Sequence, residues 1–202
     1  MPATTFDSGD LLAITQLQHG WGLWRDTCDW ERLRACYAPD ALMRTTWFDG
    51  TAADFLVASQ RMASASKGSL QHAISAPVVH GLGARAVAVT RVVLMVRGEF
   101  DGVPVDATCW GRFHDRLIKQ DGAWRIQRRT PVYDKDRMDP VRAGDRLALD
   151  ADELARFPAH YCHLACMQSR GGATITMDLP APLSDADRQL MLDDSQWLHA
   201  AG

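Results

Sequence analysis

An α+β fold, with helices first and an antiparallel sheet after them, is predicted by three features of this 202-residue chain. Apolar residues recur at spacings of three and four near the amino terminus, two long strand-favouring runs lie between residues 84 and 118, and Asp121-Gly122 supplies a strong hairpin turn. A sheet of that kind, bent around the helices, leaves a cone with one open mouth. Hydrophobic residues make up 47% of the chain, enough to bury a substantial core in one domain with an elaboration.

The first helix is marked by Leu11, Ile14, Leu17, Trp21 and Trp24 behind the capping run Asp7-Ser8-Gly9-Asp10. A second runs from about 29 to 37, because Trp30, Leu33 and Tyr37 share a face and Ala38-Pro39-Asp40 stops it. Residues 41–47 read as a strand. Thr51 and Asp54 stand at capping-box spacing and open a third helix to about Met62, followed by a polar loop over 63–68. From Ser69 the signal becomes β: a valine-rich strand over 84–96, a turn over 98–102, a strand over 103–118, then the Asp-Gly hairpin onto a strand over 123–129. Beyond Pro131 the sequence is charged and broken by proline. It suggests a helix over 152–168 interrupted at Pro158, a short strand over 172–178, and a final helix capped by Ser184. The expected division is a cone domain over 1–133 and an extension over 134–202 that packs on the cone or on a neighbouring subunit.

Composition removes several classes of function. A formal charge of −3, with arginines dispersed among acids, offers no footprint for phosphate backbones, so no nucleic-acid partner is expected. The opening residues show neither a basic leader nor a signal-length apolar run, and no later segment is apolar enough to span a bilayer; a soluble, cytoplasmic protein without a membrane partner is expected. Five cysteines fit reduced thiols better than a disulfide framework.

Two polar residues stand out. Asp26 lies near the carboxyl end of the first helix, where the helix dipole disfavours negative charge, so it needs a partner or stays protonated; a solvated loop aspartate is the plain alternative. His72, between Leu70 and Ile74, puts an imidazole on a sheet face, where it can act as acid or base if a carboxylate orients it, or bond to a backbone carbonyl in a core. Asp29, directly before Trp30, fits a helix cap instead.

The order of Asp26-Thr27-Cys28-Asp29-Trp30, Tyr37-Ala38-Pro39-Asp40, Gln71-His72 and Asp121-Gly122-Ala123-Trp124-Arg125-Ile126 resembles the nuclear-transport-factor-2-like superfamily, in its SnoaL-like and scytalone dehydratase-like branch. The resemblance covers roughly the first two-thirds of the chain. It implies a cystatin-like α+β barrel in which Asp26 and His72 face each other, with Arg97 near the place of a second dehydratase histidine. Trp21, Trp47, Arg97, Arg112, His114 and Tyr133 are the expected substrate-binding residues, and Trp24 and Trp110 further aromatic lining. The implied activity is cofactor-independent dehydratase or isomerase chemistry on a small, hydrophobic, hydroxylated substrate, aromatic or polycyclic in kind. A retro-aldol carbon-carbon lyase and a non-catalytic binding or assembly module are the alternatives, and a homodimer or homotrimer is the expected state. His160-Tyr161-Cys162-His163-Leu164-Ala165-Cys166 could converge on zinc but lacks paired-knuckle spacing, so packing is its expected role and no metal is expected.

Overall fold

The first helix, α1 (Ser8–Asp26), starts at the expected run because Asp7 and Asp10 form a reciprocal capping box. Asp7 Oδ1 accepts from the Asp10 N–H at 3.0 Å, and Asp10 Oδ2 from the Asp7 N–H at 3.2 Å. These distances are read from a computed structural model, which describes residues 6–65 and 68–200. Residues 66 and 67 of the expected polar loop and 1–5 of the opening run lie outside the described residues. Ile14, Leu17 and Trp21 of α1 are buried, whereas Leu11 stays exposed at the margin of the stripe.

Cys28, in the left-handed region at φ 59°, turns the chain into α2 (Trp30–Ala35), whose N-cap is Asp29. The helix is shorter than expected, since Tyr37 opens the strand β1 (Tyr37–Thr45). Pro39 cannot continue a helix, and the chain leaves α2 extended before it. β2 (Phe48–Thr51) folds back on β1, and Thr51 then caps α3 (Ala52–Ala65) by accepting from the Asp54 N–H at 3.1 Å. β3 (Ser69–Ile74), β4 (Val78–Leu82), β5 (Arg85–Phe100), β6 (Val103–Gln120) and β7 (Ala123–Pro140) follow. The sheet runs β2-β1-β7-β6-β5-β3, with β4 also on β5, and β1 pairs parallel to β7. Both long hairpins turn on Asp-Gly, at Asp101-Gly102 and Asp121-Gly122, with positive φ at each residue. That geometry matches the twist of the flanking strands.

β7 extends past the expected end at Arg129 and past the expected domain boundary at 133. Its charges alternate across the sheet: Lys135 and Arg137 stack on Trp110 on the outer face, while Tyr133 and Met138 are buried on the inner one. A charged run with strand periodicity thus resembles a loop in composition alone.

The inner face carries two cores. Under α1–α3, Ala86, Ala88 and Val92 of β5 pack with Phe113 and Leu117 of β6 and Ile126 of β7. Farther along the same strands, at the same alternation, Val105, Ala107 and Cys109 pack with Tyr133, Met138 and the extension. The expected 152–168 helix is split into α4 (Ala151–Leu154) and α5 (Cys162–Arg170), with Pro158 between. Residues 172–178 join no sheet; Thr176 donates its N–H to Thr46 O at 2.9 Å and accepts at its carbonyl from the Tyr161 hydroxyl at 2.6 Å. α6 (Asp185–His199), capped by Ser184 as expected, crosses the outer face. Asp187 and Asp194 of α6 bind Arg112 and Arg116 of β6 at 2.6 and 2.7 Å. No described helix is long and apolar enough to cross a membrane.

Candidate active site

α1 comes against the sheet edge at Gly22, where a Cβ would meet Ile74 Cγ1 at 2.7 Å and the His72 Cβ at 3.5 Å. Asp26 lies four residues on, one helical turn along the same face. β3 is the edge strand here, and its pairing with β5 sets His72 opposite Leu94 and Ile74 opposite Val92, directing His72 to the inner face. The Asp26 carboxylate then clasps His72 twice. Oδ2 accepts the His72 backbone N–H at 2.6 Å, and Oδ1 lies 2.6 Å from Nδ1.

This clamp selects a tautomer. With Asp26 ionised, Nδ1 carries the proton and Nε2, which bonds to no described residue, keeps its lone pair. The side chains of His72 and Asp26 are 9% and 14% exposed, shielded but still reached by solvent. Burial pushes the His72 pKa below its ordinary value, against the upward pull of Asp26, with Arg25 and Arg129 adding to the depression. His72 is therefore a neutral imidazole at neutral pH.

A stability dependence follows with a definite sign. As pH falls through about 6.5 the unfolded chain takes up the histidine proton before the folded one does. The folded state therefore loses stability on the acid side of that value until His72 itself protonates, and is unaffected above it. Thermal melts at about pH 7.5 and about pH 5.5 should show a larger drop for the native chain than for His72→Gln. Equal drops would mean that the imidazole is not held neutral by its surroundings.

The surroundings are aromatic and cationic. The Trp21 ring meets His72 edge-on at 5.2 Å and Phe113 at 5.4 Å, and its Nε1 donates to the Tyr37 hydroxyl at 2.6 Å. The Arg129 guanidinium stacks on Trp21 and Phe113 at 4.2 and 4.1 Å. Its Nε and Nη2 donate to the two Asp115 oxygens at 2.8 and 2.7 Å, Nη2 also donates to Gln18 Oε1 at 2.6 Å, and Gln18 Nε2 donates to Asp115 at 2.6 Å. All three side chains are buried, and Arg129 Nη1 has no hydrogen-bond partner among the described residues.

Nothing in the strand pattern around Arg129 marks this triad in the sequence. Gln18, a polar residue within the apolar helical stripe, was the available signal.

Other expected binding residues fall elsewhere. Arg97 is on the outer face, exposed, and bound through Nε and Nη2 to Asp106 at 2.8 and 2.7 Å. Arg112 and His114 also face outward, covered by α6, where Arg112 binds Asp187 and His114 Nδ1 lies 3.5 Å from Asp194. Both faces of β6 are covered, one by a core and one by a helix, so burial does not reveal which residues point inward. Tyr133 is on the inner face but in the second core, its ring 5.4 Å from Tyr161. Trp47 packs on Phe48 and Phe55 at the edge of the first core. Trp24 is partly buried against that core, and Trp110 lies on the outer face.

Two open recesses lie apart from the pair, one lined by Tyr37, Pro39, Gln120, Asp121 and Arg125, the other by Ala73, Ile74, Ser75 and residues 91–93. The second begins one residue beyond His72.

Comparison with known proteins agrees with this architecture. Residues 7–130 match the SnoaL-like domain family. Pea pathogenicity protein 2 of Fusarium vanettenii is 31% identical over 174 residues, covering 84% of this chain and 74% of its own. An uncharacterised protein of Aspergillus terreus is 30% identical over 186 residues, covering 83% and 68%. Among solved structures, a protein of Novosphingobium aromaticivorans provisionally named a scytalone dehydratase superposes with TM-score 0.54 at 19% identity, over 70% of this chain and 95% of its own. A hexachlorocyclohexane dehydrochlorinase, LinA type 2, gives 0.52 at 12% identity, over 71% and 95%.

Proposed function

The chain belongs to the SnoaL-like domain family, and on that footing we propose that it is a cofactor-independent lyase in which His72, oriented by Asp26, moves a proton on a small, hydrophobic, hydroxylated substrate. The observation that carries the reading is the double clasp of Asp26 on the His72 N–H and Nδ1. A carboxylate spent on both groups fixes the ring in position and tautomer, and leaves Nε2 as the basic atom. The names borne by two structural neighbours, a dehydratase and a dehydrochlorinase, both denote eliminations and are in keeping with such a base.

Nε2 removes a proton from a carbon made acidic by a neighbouring carbonyl or aromatic ring. The imidazolium that forms is stabilised by Asp26 at 2.6 Å. It then returns the proton to the leaving hydroxyl, so that one C–H and one C–O bond break, a carbon-carbon double bond forms, and water departs. Trp21 and Phe113 supply aromatic surfaces suited to a planar substrate. Incubating the purified chain with hydroxylated aromatic ketones in deuterium oxide tests this. Loss of water with deuterium exchange at the adjacent carbon is expected; release of an aldehyde would assign a carbon-carbon lyase instead, and neither change across the panel would count for a binding module.

A further inference from the structure

The start of α5 brings three donor atoms together that the chemistry above does not use. Asp136 of β7, whose side chain is only 1% exposed, points into the second core at the first turn of α5. Its Oδ1 lies 2.9 Å from His163 Nδ1 and 4.0 Å from Cys162 Sγ, and Sγ lies 3.5 Å from Nδ1. We propose that Asp136, Cys162 and His163 form a site for a borderline divalent metal ion, zinc above all, which fastens the extension to the cone.

The geometry carries the argument. Bonds of about 2.0 to 2.3 Å from oxygen, nitrogen and sulfur to a tetrahedral zinc place its donors roughly 3.3 to 3.7 Å apart. The three separations straddle that range, so an ion fits after shifts of a few tenths of an ångström. The two Asp136 oxygens also have separate duties. Oδ2 accepts the Leu164 N–H at 2.7 Å, capping a helix whose own N-cap residue, Tyr161, provides no side-chain bond. Oδ1 faces the thiol and the imidazole. A carboxylate so deeply buried gains from a cation, and a thiolate-imidazole-carboxylate set selects zinc over magnesium or calcium.

Binding expels the Cys162 proton and replaces the Asp136–His163 hydrogen bond by two bonds to the metal, leaving a fourth position for water. The oxygen donor comes from β7, outside the 160–166 segment, and Cys166 is buried outside the group.

Titration of the metal-stripped, reduced full-length chain with cobalt(II) tests the proposal, because a cobalt-thiolate bond absorbs intensely where cobalt-carboxylate bonds do not. One equivalent is expected to produce that band, zinc to abolish it, and zinc to raise the melting temperature. Cys162→Ser should lose the band, and Cys28→Ser, at an exposed thiol, should keep it. His163→Ala, at a partly exposed ring, should weaken it and gives a second variant should Cys162→Ser fold poorly. No thiolate band in the native chain, a band that survives Cys162→Ser, or uptake of cobalt without the band would each overturn the proposal. None of these readouts depends on turnover.

Discussion

Replacing His72 by Gln is expected to lower turnover by about 10²- to 10⁴-fold, the range that a positioned acid-base group contributes. Gln fits the same strand position, so the fold should persist and the loss should fall on kcat more than on KM. Asp26→Asn is the sharper variant. An amide can accept from the His72 N–H with its one oxygen, but it then turns an NH₂ toward Nδ1, reversing the tautomer and placing the proton on Nε2. The base is lost while the contacts stay nearly the same in shape, so Asp26→Asn should approach the deficit of His72→Gln, and the double variant should be little worse than either. The acid limb of kcat/KM in the native chain should fall below pH 6.5, in the direction of the shifted His72 pKa. Independent, multiplying losses would show that the two residues do not act as one unit.

The second large effect concerns stability. Asp115 and Arg129 are both wholly buried, and removing the carboxylate alone leaves a guanidinium in the core without its counter-charge, bonded to Gln18. Asp115→Ala is expected to destabilise by about 3 to 5 kcal/mol, read as a lowered urea midpoint. Arg129→Met together with Asp115→Leu removes both charges and should recover much of that loss. The same double variant strips the cation from over Trp21, beside His72, so recovered stability with altered activity would separate the triad's structural role from its influence on the site. A loss below about 1 kcal/mol for Asp115→Ala would mean that water reaches the pair.

The helical half of the fold was legible because its signals are local. Asp7 with Asp10, Asp29, Thr51 with Asp54, and Ser184 each cap a helix within four residues of sequence, and Asp121-Gly122 fixes its hairpin alone. The direction of His72 was legible too, since Leu70, His72 and Ile74 share one face of a strand. Parity failed where the chain departs from simple alternation. The register between β6 and β7 shifts between Arg116 and Leu117, so that Arg128 pairs with Arg116 on the outer face while both Ile126 and Arg129, three residues apart, point inward. No spacing rule anticipates that bulge, so in the sequence Arg129 is indistinguishable from its solvent-facing neighbour Arg128. Asp136 escaped for another reason. Its partners lie 26 and 27 residues onward, beyond a segment whose path composition does not reveal.

The bond from the His72 N–H to Asp26 carries a consequence beyond chemistry. β3 ends the sheet on the side away from β5, and an unpaired amide on such an edge is a template on which a foreign strand can grow. Asp26 occupies that amide, so one carboxylate both orients the imidazole and denies that position to an incoming strand. The edge would then have reason to keep the aspartate whether or not the imidazole beside it acts as a base.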